Sequence, residues 1–444
     1  MSYQVPHNID LNKIFLVNRS EIEGRLDPSI YRPQFKFISN KYKNVKLSEI
    51  AWIDPTCNFG KIKEVSFVPM DAIDSVNGTI AYKGVKTVEE TKGFTRFKEG
   101  DLLWAKITPC MQNAKSAIAM NLLNGYGCGS TEFFVIRTKD EKVVLQDYLL
   151  FLLRDEKVLK SAVNYFGGSA GQQRVSPLFL KTFNVPLPDI NEQNRFCELV
   201  RIAQRIKQQK EQQAEALLNC IDDYILGELG IKLPEMKSQA LKNRMFIVNF
   251  KEINGGRFDP KSVLFLGESA KSMIYENVQL QQIAKIEKGD AITSSEVNKD
   301  GTYPVIAGGQ TSPYNHDKYN YKGDVITVSA SGAYSGYVWY HNDQIFASDC
   351  SVIYAKNNQF TTKYLFEVLK SQQSHIYLLQ QGAGQPHVYP DDLAKLWIPV
   401  VSLSKQQEIV GHITAIRQQA KALQEEGEAI LEQAKREVEG MIIG

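Results

Sequence analysis

Cysteine is scarce in this 444-residue chain and never closely paired. The six at 57, 110, 128, 197, 220 and 350 form no CxxC couple, so neither a zinc ribbon nor a dithiol redox centre is expected, and the thiols read as reduced. The six histidines (7, 316, 341, 375, 387 and 412) show no metal-ligand spacing and no HExxH. A GxxxxGK[ST] loop for ATP is missing, as is a GxGxxG following a strand. No NPPY-like or DPPY-like tetrapeptide occurs, with which an amino-methyltransferase would grip its target nitrogen. Asp140-Glu141-Lys142 looks like the tail of a nuclease carboxylate motif but lacks the upstream Pro-Asp. No run of 18 apolar residues exists, and the opening MSYQVPHNIDLNK holds no signal-peptide core. The expectation is therefore a cytoplasmic, non-catalytic binding protein that uses no metal or cofactor. A net charge of +2 neither suggests nor excludes a polyanionic partner.

What is present is repetition. A long amphipathic helix is expected from 191 to about 227, with Phe196, Leu199, Ala203, Ile206, Leu217, Cys220 and Tyr224 as its apolar stripe. A second starts at 404 and reads Ile409, Ile413, Ile416, Ala420, Leu423, Gly427, Ile430, Ala434. Alternation of three and four makes a narrow seam, as a coiled coil requires, and the two helices most simply pair with each other. At 1.5 Å per residue each spans about 50 Å. Asn191 and a Ser404–Gln407 capping box are the expected helix starts, and Lys210 and Gln213 interrupt the first seam.

The segments leading into the helices align without a gap. Residues 170–193 (AGQQRVSPLFLKTFNVPLPDINEQ) match 383–406 (AGQPHVYPDDLAKLWIPVVSLSKQ) at an offset of 213 (384 − 171). Shared positions include Gly171/Gly384, Gln172/Gln385, Val175/Val388, Pro177/Pro390, Leu180/Leu393, Pro186/Pro399 and Gln193/Gln406. Earlier anchors also pair: 15–28 with 246–260, 45–53 with 278–286, 100–109 with 323–332, 131–139 with 348–356, and 147–154 with 363–370. Each half reads as α+β, with short strands such as 133–137 and 325–329 and a helical stretch at 146–163 or 362–380. Gly227, Gly230 and Pro234 are expected to end the first long helix, with a linker running on to about Lys242.

This order of two divergent α+β units, each closed by "G-Q…V-x-P…L…-P…-Q" and a long helix, resembles the specificity subunit of type I restriction–modification systems. The resemblance covers about residues 15–440. It implies an α+β fold of two target-recognition domains (1–190 and 231–403) separated by two long helices (191–230 and 404–444) that form an antiparallel coiled coil. It further implies recognition of a bipartite, asymmetric DNA target, one half-site per domain. The implied partners are double-stranded DNA, DNA-methyltransferase subunits (two of them) docked on the helices, and restriction or translocase subunits through the complex. Other readings are an adaptor of another phage-defence or regulatory system on this scaffold, and a stand-alone nuclease or methyltransferase, which the missing motifs disfavour.

Charge and residue type nominate the DNA-binding positions. Residues 24–190 hold 23 Lys and Arg against 17 Asp and Glu, whereas 256–403 hold 12 against 14. Only the first unit has the basic excess of a phosphate binder. There Lys61, Lys63, Lys106 and Lys115 lie near Asn58, Thr108, Gln112 and Asn113; cations suit phosphates or guanine, amides suit adenine. In the second unit, small-residue loops carrying Gln310, Thr311 and Tyr314, and Ser329, Ser331 and Tyr334, could approach a groove closely, or be ordinary turns. Arg174 and His387 are equivalent positions beside Gln172 and Gln385, where a shared task is either DNA contact or packing against the helices.

Overall fold

Strands with alternating side chains and helices with a one-sided stripe each need a partner layer, and the chain supplies it twice. The computed structural model describes residues 37–168, 172–233, 270–293, 295–298, 300–382 and 384–444, with positions 10, 16, 17 and 19. The 15–28/246–260 match lies outside this set apart from isolated positions, as do Gly171 and the linker beyond 233. Packing divides the chain into two units: 1–209 with 426–444, and 210–425. The four segments expected from sequence place the helices apart from the domains; in this partition each unit takes part of both helices. No helix among the described residues is long and apolar enough to cross a membrane.

In unit 1 a four-stranded antiparallel sheet runs in the order Ala51–Ile53, Phe133–Thr138, Leu102–Ala105, Ser116–Ile118. Leu102–Ala105 is buried throughout because both sheet faces are covered. Leu102, Trp104, Phe134 and Ile136 pack with Tyr148, Leu149 and Leu152 of helix Gln146–Leu153. Their neighbours Leu103, Phe133 and Val135 turn to the opposite side, against Val68 and Phe97 of a second sheet. That sheet orders Gly84–Thr87, Glu64–Val68, Tyr126–Gly129 and Thr95–Lys98, with the middle pair parallel.

Unit 2 repeats this layout. Its main sheet orders Ala284–Lys288, Cys350–Ala355, Val325–Ser329, Val338–His341, covered on one face by helix Thr362–Ser371. Its second sheet holds Asn315–His316, Tyr303–Ile306 and Phe346–Ala347. The expected helices at 146–163 and 362–380 are each broken, at Arg154–Asp155 and at Gln372.

Small polar fastenings are duplicated as well. Strand Lys43–Lys46 pairs with Asn184–Leu187 in unit 1, and Asn277–Gln279 with Trp397–Pro399 in unit 2. The hydroxyl of Tyr148 donates to the Pro186 carbonyl at 3.0 Å, and that of Tyr364 to Pro399 at 2.9 Å. Asn44 clasps the Ser39 backbone through N–H and C=O, and Asn277 does the same to Ser272. The turn so closed binds a helix end: Asn40 N–H donates to the Ile443 carbonyl in unit 1, and Met273 N–H to Gly230 in unit 2.

The long helices are Ile190–Glu228 (39 residues) and Leu403–Ile443 (41 residues). Their starts differ from the sequence expectation. Asp189 Oδ1 accepts from Asn191 and Glu192 N–H, so Asp189 and not Asn191 is the cap. Ser402, its equivalent, accepts from Lys405 N–H at 3.2 Å in place of a Ser404 box. Within unit 2, the Tyr224 and His412 rings meet at 4.3 Å, tilted by 39°, and Lys405 bridges Glu228 at 2.6 Å, so residue numbers rise on one helix as they fall on the other. Within unit 1, Lys207 pairs with Glu428, and the helix start at Glu192 bonds the same turn that receives Ile443. The pairing is antiparallel in each. The first seam keeps Phe196 and Ala203 of the expected stripe, buried, with Leu199, Ile206, Leu217 and Tyr224 half-buried, but it also takes in Val200, Lys207, Ala214 and Ile221, while Cys220 and Gln213 are exposed. A Cβ on Gly427 would stand 3.2 Å from Lys207 Cα, so glycine permits close approach there.

Candidate nucleic-acid interface

Of the residues nominated in unit 1, Lys106, Thr108, Gln112, Asn113, Lys115 and Arg174 gather where strand Leu102–Ala105 runs out into loop 106–115. That loop is stitched to the segment after the repeated Gly-Gln: Val175 N–H donates to the Lys106 carbonyl and Thr108 N–H to Gln173, both at 2.9 Å, and Ile107 bridges Arg174. Arg174 lays Nε and Nη2 on the two carboxylate oxygens of Glu132 at 2.9 and 2.7 Å, and Nη1 on the Gln172 carbonyl at 3.2 Å. The guanidinium holds the Glu132 carboxyl below its ordinary range. Thr108 Oγ1 donates to Gln112 Oε1 at 2.6 Å, Lys106 Nζ lies 5.2 Å from the Phe134 ring centroid, and Gln112 and Asn113 are exposed. Lys115 instead turns inward and donates to the Met70 carbonyl at 3.0 Å.

Under the loop lies Arg154, at the end of helix Gln146–Leu153. It donates to the carbonyls of Ala114, Ser116, Ser75 and Val76, and burial pulls its pKa down. Asn58, Lys61 and Lys63 belong to a different, exposed segment leading into strand Glu64–Val68 of the second sheet, where the Asn58 side-chain Oδ1 accepts from Gly60 N–H. The same sheet carries cations over aromatic rings: Lys86 over Phe67 and Phe94, and Arg96 over Phe59.

Unit 2 builds the equivalent cluster from different side chains. Loop 330–337 leaves strand Val325–Ser329 and is held to the second Gly-Gln segment: Val388 N–H donates to Ala330, Gly332 N–H to Pro386, and Ser331 bridges His387. Ser331 Oγ donates to Asp349, which stands where Glu132 does. His387 pairs through its backbone with Gln381 and stacks on Tyr389. Ser329 is buried, its hydroxyl turned to the Ala307 and Gly309 carbonyls, which draws in the loop bearing Gln310, Thr311 and Tyr314. A Cβ on Gly308 would meet Ser331 O at 2.6 Å, so that approach demands glycine. Gln310, Thr311, Tyr314 and Tyr334 are exposed. Lys370, equivalent to Arg154, donates to the Val338 carbonyl at 3.1 Å.

Sequence reasoning nominated the loops but passed over Glu132, Asp349, Arg154 and Lys370. The signal for them was available, because each pair aligns within the anchors 131–139/348–356 and 147–154/363–370. Among the described residues no group of three or more His, Cys, Asp or Glu could hold a metal ion.

Two copies of one α+β unit, each with a strand-end loop pinned to a Gly-Gln segment, define a tandem α+β scaffold. The sequence model described as "type I restriction modification DNA specificity domain" matches residues 39–216 and 274–433, and the chain belongs to that family. It is 35% identical over 190 residues to the Escherichia coli type I restriction enzyme EcoAI specificity subunit, covering 40% of this chain and 32% of that protein. It is also 35% identical over 192 residues to the E. coli EcoEI specificity subunit, with the same coverage. The matches thus span about a third of these relatives' length. A solved chain, from work on complex assembly and conformational transition of the type I R-M system, shares the fold. It has TM-score 0.56 and 17% identity over 91% of this chain and 97% of that one.

Proposed function

We propose that the chain is the DNA-specificity subunit of a type I restriction–modification complex: non-catalytic, cytoplasmic, and reading a bipartite duplex target with one half-site per unit. The observation that carries this reading is the duplicated strand-end cluster. Its backbone frame is the same in both units, while the side chains it presents differ: Gln112, Asn113 and Arg174, exposed, with half-buried Lys106 in one, and exposed Tyr334 with half-buried Ser331 and His387 in the other. A common frame with unlike readers suits an asymmetric target, because base edges are told apart by donor and acceptor pattern. Chemistry on the bound DNA then belongs to methyltransferase subunits, with restriction subunits reached through the complex.

The test is methylation mapping in cells that express the chain with its methyltransferase partner. One bipartite motif, present with the full chain and lost without it, is the expected result. Methylation that persists unchanged without this chain would overturn the proposal.

A further inference from the structure

We infer that Arg174 reads a guanine in the half-site of unit 1, and that Glu132 is the residue that positions it; the inference rests on the DNA-reading function proposed above. The geometry of the pair carries it. A guanidinium has five N–H donors in one plane. Among the described residues, Glu132 takes Nε–H and one hydrogen of Nη2, and the Gln172 carbonyl takes one of Nη1. One donor remains on each terminal nitrogen, and with the Gln172 carbonyl on the Cδ-side hydrogen of Nη1 these two form the planar fork that matches guanine O6 and N7. The arginine side chain is 44% exposed and its carboxylate partner 21%, so the fork is open to solvent while its anchor is partly covered.

Neighbouring groups suit a groove. Lys106 opens loop 106–115, and Gln112 and Asn113 stand exposed on it. Comparison of the two units points the same way. Asp349 repeats the carboxylate in unit 2, but there it accepts from Ser331, and His387 replaces the arginine. The carboxylate is kept while the residue at the arginine's position changes, as expected where that position selects the base. A purely structural role explains less, since an ion pair this exposed contributes little to stability.

The experiment is selection of binding sites from a random duplex DNA library by the full chain, compared with R174K, R174A, E132Q and the reversed pair R174E/E132R, each checked by melting. The wild type is expected to select a bipartite motif with a G·C pair that R174A and R174K read with roughly 5- to 100-fold less discrimination. The other half-site should be unchanged. E132Q should weaken preference at that same pair only. The reversed pair should melt like the wild type yet lose the guanine, which separates base reading from a structural ion pair. A wild-type motif whose G·C preferences all survive in folded R174A overturns this inference alone. A wild type that selects no motif overturns the DNA-reading function as well.

Discussion

Gln193 and Gln406 are single side chains that each close three backbone bonds. Gln193 Oε1 accepts from Leu145 N–H at 2.9 Å, and its Nε2 donates to Val143 and Pro188 carbonyls. Gln406 accepts from Thr361 N–H and donates to Gln359 and Val401. Both are fully buried, so removing either amide strands several polar groups without water. Q193A and Q406A should each lower unfolding free energy by about 1–3 kcal/mol. Denaturant titration would check this, and Q406E should fail to rescue, since a carboxylate cannot donate to the two carbonyls. His341 gives a pH dependence. It is buried, its ring meets Thr327 Oγ1 at 2.8 Å, and burial alone pulls its pKa from 6.5 to about 4. The unfolded chain therefore binds this proton first as pH falls, so stability present above 6.5 declines between about 6.5 and 4. Melting of the wild type should drop across that window more steeply than melting of H341N.

At the scale of elements, the seam of the first long helix decides which face is dry. Its apolar residues admit more than one stripe, because Leu199, Ile206 and Cys220 are each one position from a buried residue. The partner helix chooses: Ile221 and Ile225 join Ile409, Ile413 and Ile416 in the core of unit 2, and Cys220 stays outside. Adjacent aspartates therefore test the register. I221D should cost more than about 3 kcal/mol, since it buries an uncompensated charge, whereas C220D should stay within about 0.5 kcal/mol of wild type. Equal damage from both, measured by thermal melting of the full chain, would show that the register is different.

At the scale of the whole molecule, two closed units predict independence. In unit 1 the pairing of Lys43–Lys46 with Asn184–Leu187 gathers both ends of the intervening chain into one two-stranded ribbon. Replacing residues 47–182 with the corresponding segment of a relative should therefore leave unit 2 intact and change one half-site of the methylation motif. Mapping that showed both half-sites altered would contradict two separate readers.

The repeat, the α+β character, the two long helices and the loops that bear the candidate contacts were legible in the linear chain, because duplication leaves identities and period-specific patterns at fixed offsets. Periodicity placed the helix and buried Phe196 and Ala203 on its face, but not every seam residue, since Leu199 and Cys220 each have an apolar neighbour, Val200 and Ile221, competing for the dry side. Cap identity slipped for a similar reason: Asp189 and Ser402 differ in type, and only the first free N–H groups of each helix show which one accepts. The cluster of Lys106, Gln112, Arg174 and Glu132 is assembled from three segments, 106–112, 132 and 172–175, which no local pattern connects. Burial decided the remainder, turning Ser329 and Lys115 inward while leaving Gln112 and Tyr334 in water. A side chain's accessibility is set by the layers packed around it, and those layers exist only in the folded chain.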